Sequence, residues 1–172
     1  MTEHSLQSSA RASSLHNLDP ASLSRMSTTA LDELFTELEP AELAQLQGHK
    51  RGRVLAVTGL DWVPAAARSA LLGFVNQLPI WRGEVFEGEF GANAWLLPGS
   101  RLEFARYVVR EAPALDGSGP VIRLDYDVSA NPKPLRRIVG ELRYLGPGLF
   151  LVRMQLLWGS RVIRASYFTL ES

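Results

Sequence analysis

The chain contains no cysteine, which excludes disulfides, thiolate metal sites and a cysteine nucleophile together. Histidine is nearly as scarce. Of three in all, His4 and His16 fall in an N-terminal stretch with no hydrophobic period, so His49 is the only imidazole near a foldable segment, and a histidine-ligated metal lacks ligands. Net charge is also missing: 18 basic residues balance 18 acidic ones, and the whole-molecule field offers no general attraction to nucleic acid or an anionic membrane. No apolar run reaches the roughly eighteen residues a spanning helix needs, and the N-terminus lacks a signal-peptide core. Neither a Gly-x-Gly-x-x-Gly nor a P-loop pattern follows a strand, and no serine sits in a Gly-x-Ser-x-Gly setting. No metal and no cofactor are expected. These absences favour a binding protein over an enzyme, in the cytoplasm.

What is present fits one globular domain: 172 residues, 46% hydrophobic and 21% charged. Residues 1–25 are serine-rich and read as a flexible tail, leaving 26–172 as a single domain, with Met26 as an alternative translation start. Thr29 is expected to cap a short helix with Asp32 at its third position, Leu31, Leu34, Phe35 and Leu38 lining one face. Pro40 opens a second short helix, "PAELAQLQ", ended by Gly48. "GRVLAVTG" reads as a strand and "PAAARSALLGFVNQL" as a helix starting on Pro64.

Beyond Trp81 the period becomes two. Glu84, Phe86, Gly88 and Phe90 alternate against Val85, Glu87 and Glu89, and "RLEFARYVVREA", "PVIRLDYDV", "GLFLVRMQLLW" and "RVIRASYFTL" follow as strands. Turn signals at Pro98, Asp116, Gly146 and Trp158 separate them, as in an antiparallel meander. In "LPIWRGEVFEGEFGANAW" the glycines let strands bend as barrel closure requires. There the aromatics would fill or line the interior and the glutamates mark the wet side. One segment departs from the strand pattern: Leu135, Ile138, Val139, Leu142 and Leu145 recur at helical spacing between Pro134 and Gly146, predicting an inserted helix. The expected fold is α+β, mainly antiparallel, a barrel or half-barrel with short N-terminal helices and one or two packed helices.

The order of several short stretches is similar to that of the bacterial GXWXG-type proteins of unknown function. "GHKRG" at Gly48–Gly52 stands where that family has its first motif, with Lys50 in the tryptophan position. "WRGEVF" at Trp81–Phe86 resembles its next stretch, with Glu84 replacing a base. "LDYDV", "RRIVGELRYL", "GLFLVRM" and "SYFTL" follow in the same order, so the resemblance spans roughly residues 30 to 170. It implies a lipocalin-like (calycin-like) barrel and carries no established activity or catalytic residues.

Candidate site residues are those that place a polar group among apolar neighbours on one strand face. Leu102, Phe104, Arg106 and Val108 share a side; so do Leu151, Arg153, Gln155 and Leu157, and so do Val162, Arg164, Ser166 and Phe168. A buried arginine without a partner costs about 3–5 kcal/mol, so each must meet a carboxylate, water or the anionic head of a ligand. The first reading is therefore a carrier of a small apolar molecule with an acidic head, possible carboxylates included. Arg106, Arg153, Gln155 and Asn93 would supply polar contacts, and Trp81, Phe86, Trp95, Phe104 and Tyr107 the wall. If Phe104 and Tyr107 lie on opposite faces of one strand, only one can point inward. The second reading is an isomerase or cyclase on the same scaffold, with Asp125 or Asp127 as base. A third uses the basic excess after Asn131, seven basic residues against Glu141 and Glu171, as a docking face for protein or nucleic acid.

Overall fold

The computed structural model describes residues 20–77, 81–97 and 100–172, with the backbone alone for residues 20, 95–97 and 100–104. The first part of the expected tail, and the Pro98 turn signal, lie outside the described residues. The chain enters through a helical turn, α1 (Pro20–Leu23), and a helix, α2 (Thr28–Glu37). A two-residue strand, β1 (Glu39–Pro40), a 3-10 turn (Leu43–Leu46), β2 (Gly48–Val57) and a second helix of full length, α3 (Ala65–Gln77), come next. An uninterrupted meander follows: β3 (Trp81–Glu87), β4 (Phe90–Leu97), β5 (Ser100–Pro113), β6 (Pro120–Asp125), β7 (Ile138–Gly146), β8 (Leu149–Trp158) and β9 (Arg161–Glu171).

Each strand from β2 to β9 pairs antiparallel with the next, and β9 returns to β2, closing an eight-stranded barrel. Strand β1 adds to the end of β7, Glu39 opposite Tyr144. The expected mainly antiparallel α+β barrel is the observed fold, and it is closed rather than half open.

Two apolar clusters divide the core. Inside the barrel Phe86, Tyr107, Ile122, Leu124, Leu142, Phe150, Phe168 and Leu170 pack together. Outside, α1 and α2 press Leu23, Leu31, Leu34 and Phe35 onto Leu55, Val121, Leu151 and Tyr167. The spacing of Leu31, Leu34 and Phe35 on one helix face accounts for that seating. Ser27 caps α2, its hydroxyl accepting from the Ala30 N–H at 3.2 Å, where Thr29 was expected. Residues 20–25, read as tail, contain α1 and a fully buried Leu23.

The two-layer core also corrects the helix expected between Pro134 and Gly146. Only Leu135–Arg137 forms a 3-10 turn, and β7 occupies the rest. Leu142 packs inside the barrel while Leu145 packs under α2. A strand covered on both faces carries apolar residues at both parities, and these fall by chance at helical intervals. Gly140 belongs to that strand for a steric reason: a Cβ there would lie 3.1 Å from Leu124 and the Met154 sulfur.

Candidate functional site

Glu84 is the centre of the candidate site. It follows Gly83 on β3 and shares the inward face with Phe86, so the period-two pattern drives the carboxyl into the barrel, where it is fully buried. The sequence reading assigned the glutamates of this stretch to the wet side. That holds for Glu87 and Glu89, which are exposed, and fails for Glu84. Gly83 allows the strand to pass this point. Its φ is 118°, and a Cβ would sit 2.0 Å from the Lys50 carbonyl oxygen.

Two phenols reach the carboxyl. Tyr107 of β5 donates to Oε2 at 2.9 Å, and Tyr126, just beyond β6, makes a longer 3.4 Å contact with Oε1. Asn93 of β4 donates from Nδ2 to the Tyr126 hydroxyl at 3.0 Å, and its Oδ1 accepts from the Trp81 indole N–H at 2.9 Å. An indole nitrogen only donates. Trp81 therefore fixes which way the Asn93 amide faces, Asn93 fixes the Tyr126 oxygen as acceptor, and the Tyr126 hydrogen is left to point at Glu84. All four groups hand their hydrogens toward one carboxyl.

No cation completes the cluster among the described residues. Burial pushes the Glu84 carboxyl up to about 7, against the downward pull of the Tyr107 and Tyr126 hydroxyls. Burial, with Glu84 beside them, raises both phenols in turn. Lys50 stands opposite Glu84 in the β2–β3 register and is itself buried, but its Nζ donates to the Gln47 carbonyl at 3.1 Å. Aromatic rings enclose the remainder: Tyr107 and Tyr126 have centroids 5.0 Å apart, Phe86 packs edge-on to Tyr107, and Trp81 edge-on to Phe168.

Of the residues singled out from sequence, Trp81, Phe86, Asn93 and Tyr107 thus meet in one interior cluster. Trp95 pairs through its backbone with Trp81, and Phe104 with Asn93, while their side chains lie outside the described residues. Strand parity does not carry through β5, because Ala105 adopts φ 59° and shifts the register there. Face arguments that ran from Phe104 to Arg106 or Tyr107 break at that bulge. Arg106 is exposed and lines a groove of about 290 Å³ together with Val85, Phe90, Tyr107 and Ser129.

Arg153 and Gln155 occupy the other face of the wall, under α2. The Arg153 guanidinium is fully buried and bonds Glu141 at 2.7 Å, Asp32 at 2.8 Å and Asp116 at 2.8 Å, with its Cζ 4.2 Å from the Phe35 ring centroid. Gln155 donates to Glu141 at 2.7 Å. Arg164 and the Tyr167 hydroxyl add bonds to Asp32 at 2.7 Å each. Burial works against ionisation of Asp32, but bonds from Arg164, Tyr167 and Arg153 outweigh it and hold the carboxyl below its ordinary range. Arg143 spends its guanidinium on the carbonyls of Phe35, Thr36, Leu38 and Ser118. These groups fasten α2 to the barrel, so the expectation that Arg153 and Gln155 project into the cavity is corrected. A strand sandwiched between barrel interior and helix has two buried faces, and sequence alone does not say which is which.

The acids suggested as catalytic base flank Tyr126 at the end of β6. Asp125 pairs with Arg110 at 2.8 Å and accepts from the Asp127 N–H, and Asp127 is exposed. Much of the basic excess after Asn131 is likewise engaged, with Arg136 donating to the Ser129 and Asn131 carbonyls and Arg137 lying over Trp158. Among the described residues no group of histidines and carboxylates could hold a metal, and no helix is long and apolar enough to cross a membrane. Sequence reasoning missed Glu84 as a site residue, although its shared parity with Phe86 was the available signal.

No protein-family model matches the chain, and no curated protein matches it. A solved structure of a protein from Thermomonospora curvata is similar, with a TM-score of 0.59 at 20% identity, over 85% of this chain and 87% of that one. At that identity the likeness is one of fold.

Proposed function

We propose that the barrel binds a small, mainly apolar molecule whose polar end meets Glu84, Tyr107, Tyr126 and Asn93. One observation carries this reading: a fully buried carboxyl with no cation beside it among the described residues. Burying such a group disfavours the fold unless it gains something, and strongly perturbed carboxyls held by specific partners concentrate at functional sites. The contrast with Glu141 supports a functional cause, since that equally buried carboxylate lies against Arg153. The arginines expected to receive an acidic head are engaged or exposed elsewhere, so an anionic head group loses its support. A cytoplasmic setting remains part of the proposal, in keeping with the lack of cysteine.

A second reading, proton transfer on an enclosed substrate, draws on the same carboxyl, because a group near neutrality both gives and takes a proton at physiological pH. Native mass spectrometry of the purified chain before and after organic extraction tests the first reading. Binding predicts a co-purifying small molecule that leaves unchanged, and a chemically altered product would favour turnover. A chain that carries nothing, and whose Glu84 resonances ignore added apolar probes, would contradict both.

A further inference from the structure

The charge balance around Glu84 points to a class of ligand, on the reading that the barrel interior binds one. The carboxylates around α2 show how this protein satisfies a structural acid: fully buried Glu141 has Arg153 at 2.7 Å and the Leu115 N–H at 2.6 Å, and the partly exposed Asp32 of α2 has both Arg153 and Arg164. Among the described residues Glu84 has phenols alone. A carboxylate offers about four acceptor positions. Here Oε2 is well used by Tyr107, whereas the polar contact at Oε1, from Tyr126 at 3.4 Å, is too long to be strong. Oε1 thus has a partner, but a long one, and among the described residues no cation stands against it as Arg153 stands against Glu141.

The surroundings suit a donor that carries positive charge. Aromatic faces attract a cation, and Trp81, Phe86, Tyr107 and Tyr126 all lie in the cluster. The amide and hydroxyl hydrogens from Asn93 and Tyr126 run toward Glu84, an orientation that supports its negative form. Lys50, the cation nearest in register, is tethered to Gln47. We infer that the ligand bears a protonated amine on an apolar body, its ammonium completing the coordination of Glu84 at Oε1 and lying against the aromatic faces. When the carboxyl starts protonated, its proton leaves to solvent as the ammonium enters. An anionic head is repelled at the same position, and a neutral hydroxyl supplies a donor without the charge.

Three eight-carbon probes test this on the full chain by isothermal titration calorimetry: octylamine, 1-octanol and octanoate. At pH 8 octylammonium is expected to bind about tenfold or more tighter than octanol, as a charge-assisted bond is about twice as strong as a neutral one, with octanoate weakest. An alkylamine, like lysine at about 10.4, stays protonated throughout, whereas Glu84 takes up a proton on acidification, so octylammonium affinity should fall about 30-fold from pH 8 to pH 5.5. Among the described residues Tyr107 and Tyr126, pushed further up by burial, keep their protons across that window, and Lys50 is the charged group opposite Glu84 in the register. Glu84→Gln should lose the preference for the amine over octanol, while Lys50→Met keeps it. Should the Gln variant fail to fold, the pH dependence of the unaltered chain still decides. Equal binding of octylamine and octanol, or tightest binding of octanoate, overturns the amine and leaves barrel binding standing. No binding of any probe overturns both.

Discussion

Replacing Glu84 by glutamine should change how stability responds to pH, in a way that follows from burial. In the unfolded chain the carboxyl ionises around 4.5, and in the barrel it does so at about 7. Between those values the folded state holds a proton that the unfolded state has lost. Stability contributed by the group is complete below 4.5 and declines as pH rises through 7. At about 1.4 kcal/mol per unit, the shift amounts to about 3 kcal/mol of lost stability at pH 8 relative to pH 4.5. Glutamine does not titrate, so this part of the decline is absent from the variant while every other ionisation remains common to both proteins. Urea unfolding followed by tryptophan fluorescence, run on both at pH 4.5 and pH 8, isolates the term as a difference of differences. The unaltered protein should lose about 3 kcal/mol more than the variant across that range. Parallel curves, agreeing within about 0.5 kcal/mol, would refute the raised carboxyl and the reasoning built on it.

Arg153→Met should destabilise the fold by about 3–5 kcal/mol, because it strips a fully buried Glu141 of its nearest cation; an unchanged or raised melting temperature would show that the network under α2 is dispensable. Gly91→Ala should cost about 1–3 kcal/mol and loosen the Tyr107 bond to Glu84, since the added Cβ would fall 2.2 Å from the Tyr107 ring. Denaturation of that variant alongside the parent checks both the loss and its size. Trp81→Phe deletes the indole donor that orients Asn93. The Glu84 midpoint, read by carboxyl NMR, should move further up as Tyr126 loses its enforced direction, and an unmoved midpoint would mean the chain of donors does not orient the site.

Apart from β1 and β7, both read as helical, the strands were legible because their alternation and glycine turns are local properties, and the meander order follows when each strand pairs with its sequence neighbour. Trp81, Phe86, Asn93 and Tyr107 were legible as one site for a related reason: aromatic and amide groups clustered on glycine-bent strands must pack somewhere enclosed. Three features were not. The face on which Arg153 points depends on whether α2 or the cavity covers β8, a tertiary fact. The bulge at Ala105 inverts the parity of β5, and nothing in "EFARYV" announces a left-handed alanine. The burial of Glu84 ran against the habit that glutamates face water, which is sound for most of them. Its shared parity with Phe86 outweighed that habit once the barrel closed around it.

The most direct test of the account is a carboxyl-carbon NMR titration of Glu84 in the intact chain, assigned by its loss in Glu84→Gln and repeated with octanol and then octylamine present. A midpoint at about 7 that responds to both probes, and drops when octylamine binds, is the predicted result. A midpoint at 4.5, unmoved by either, would contradict it.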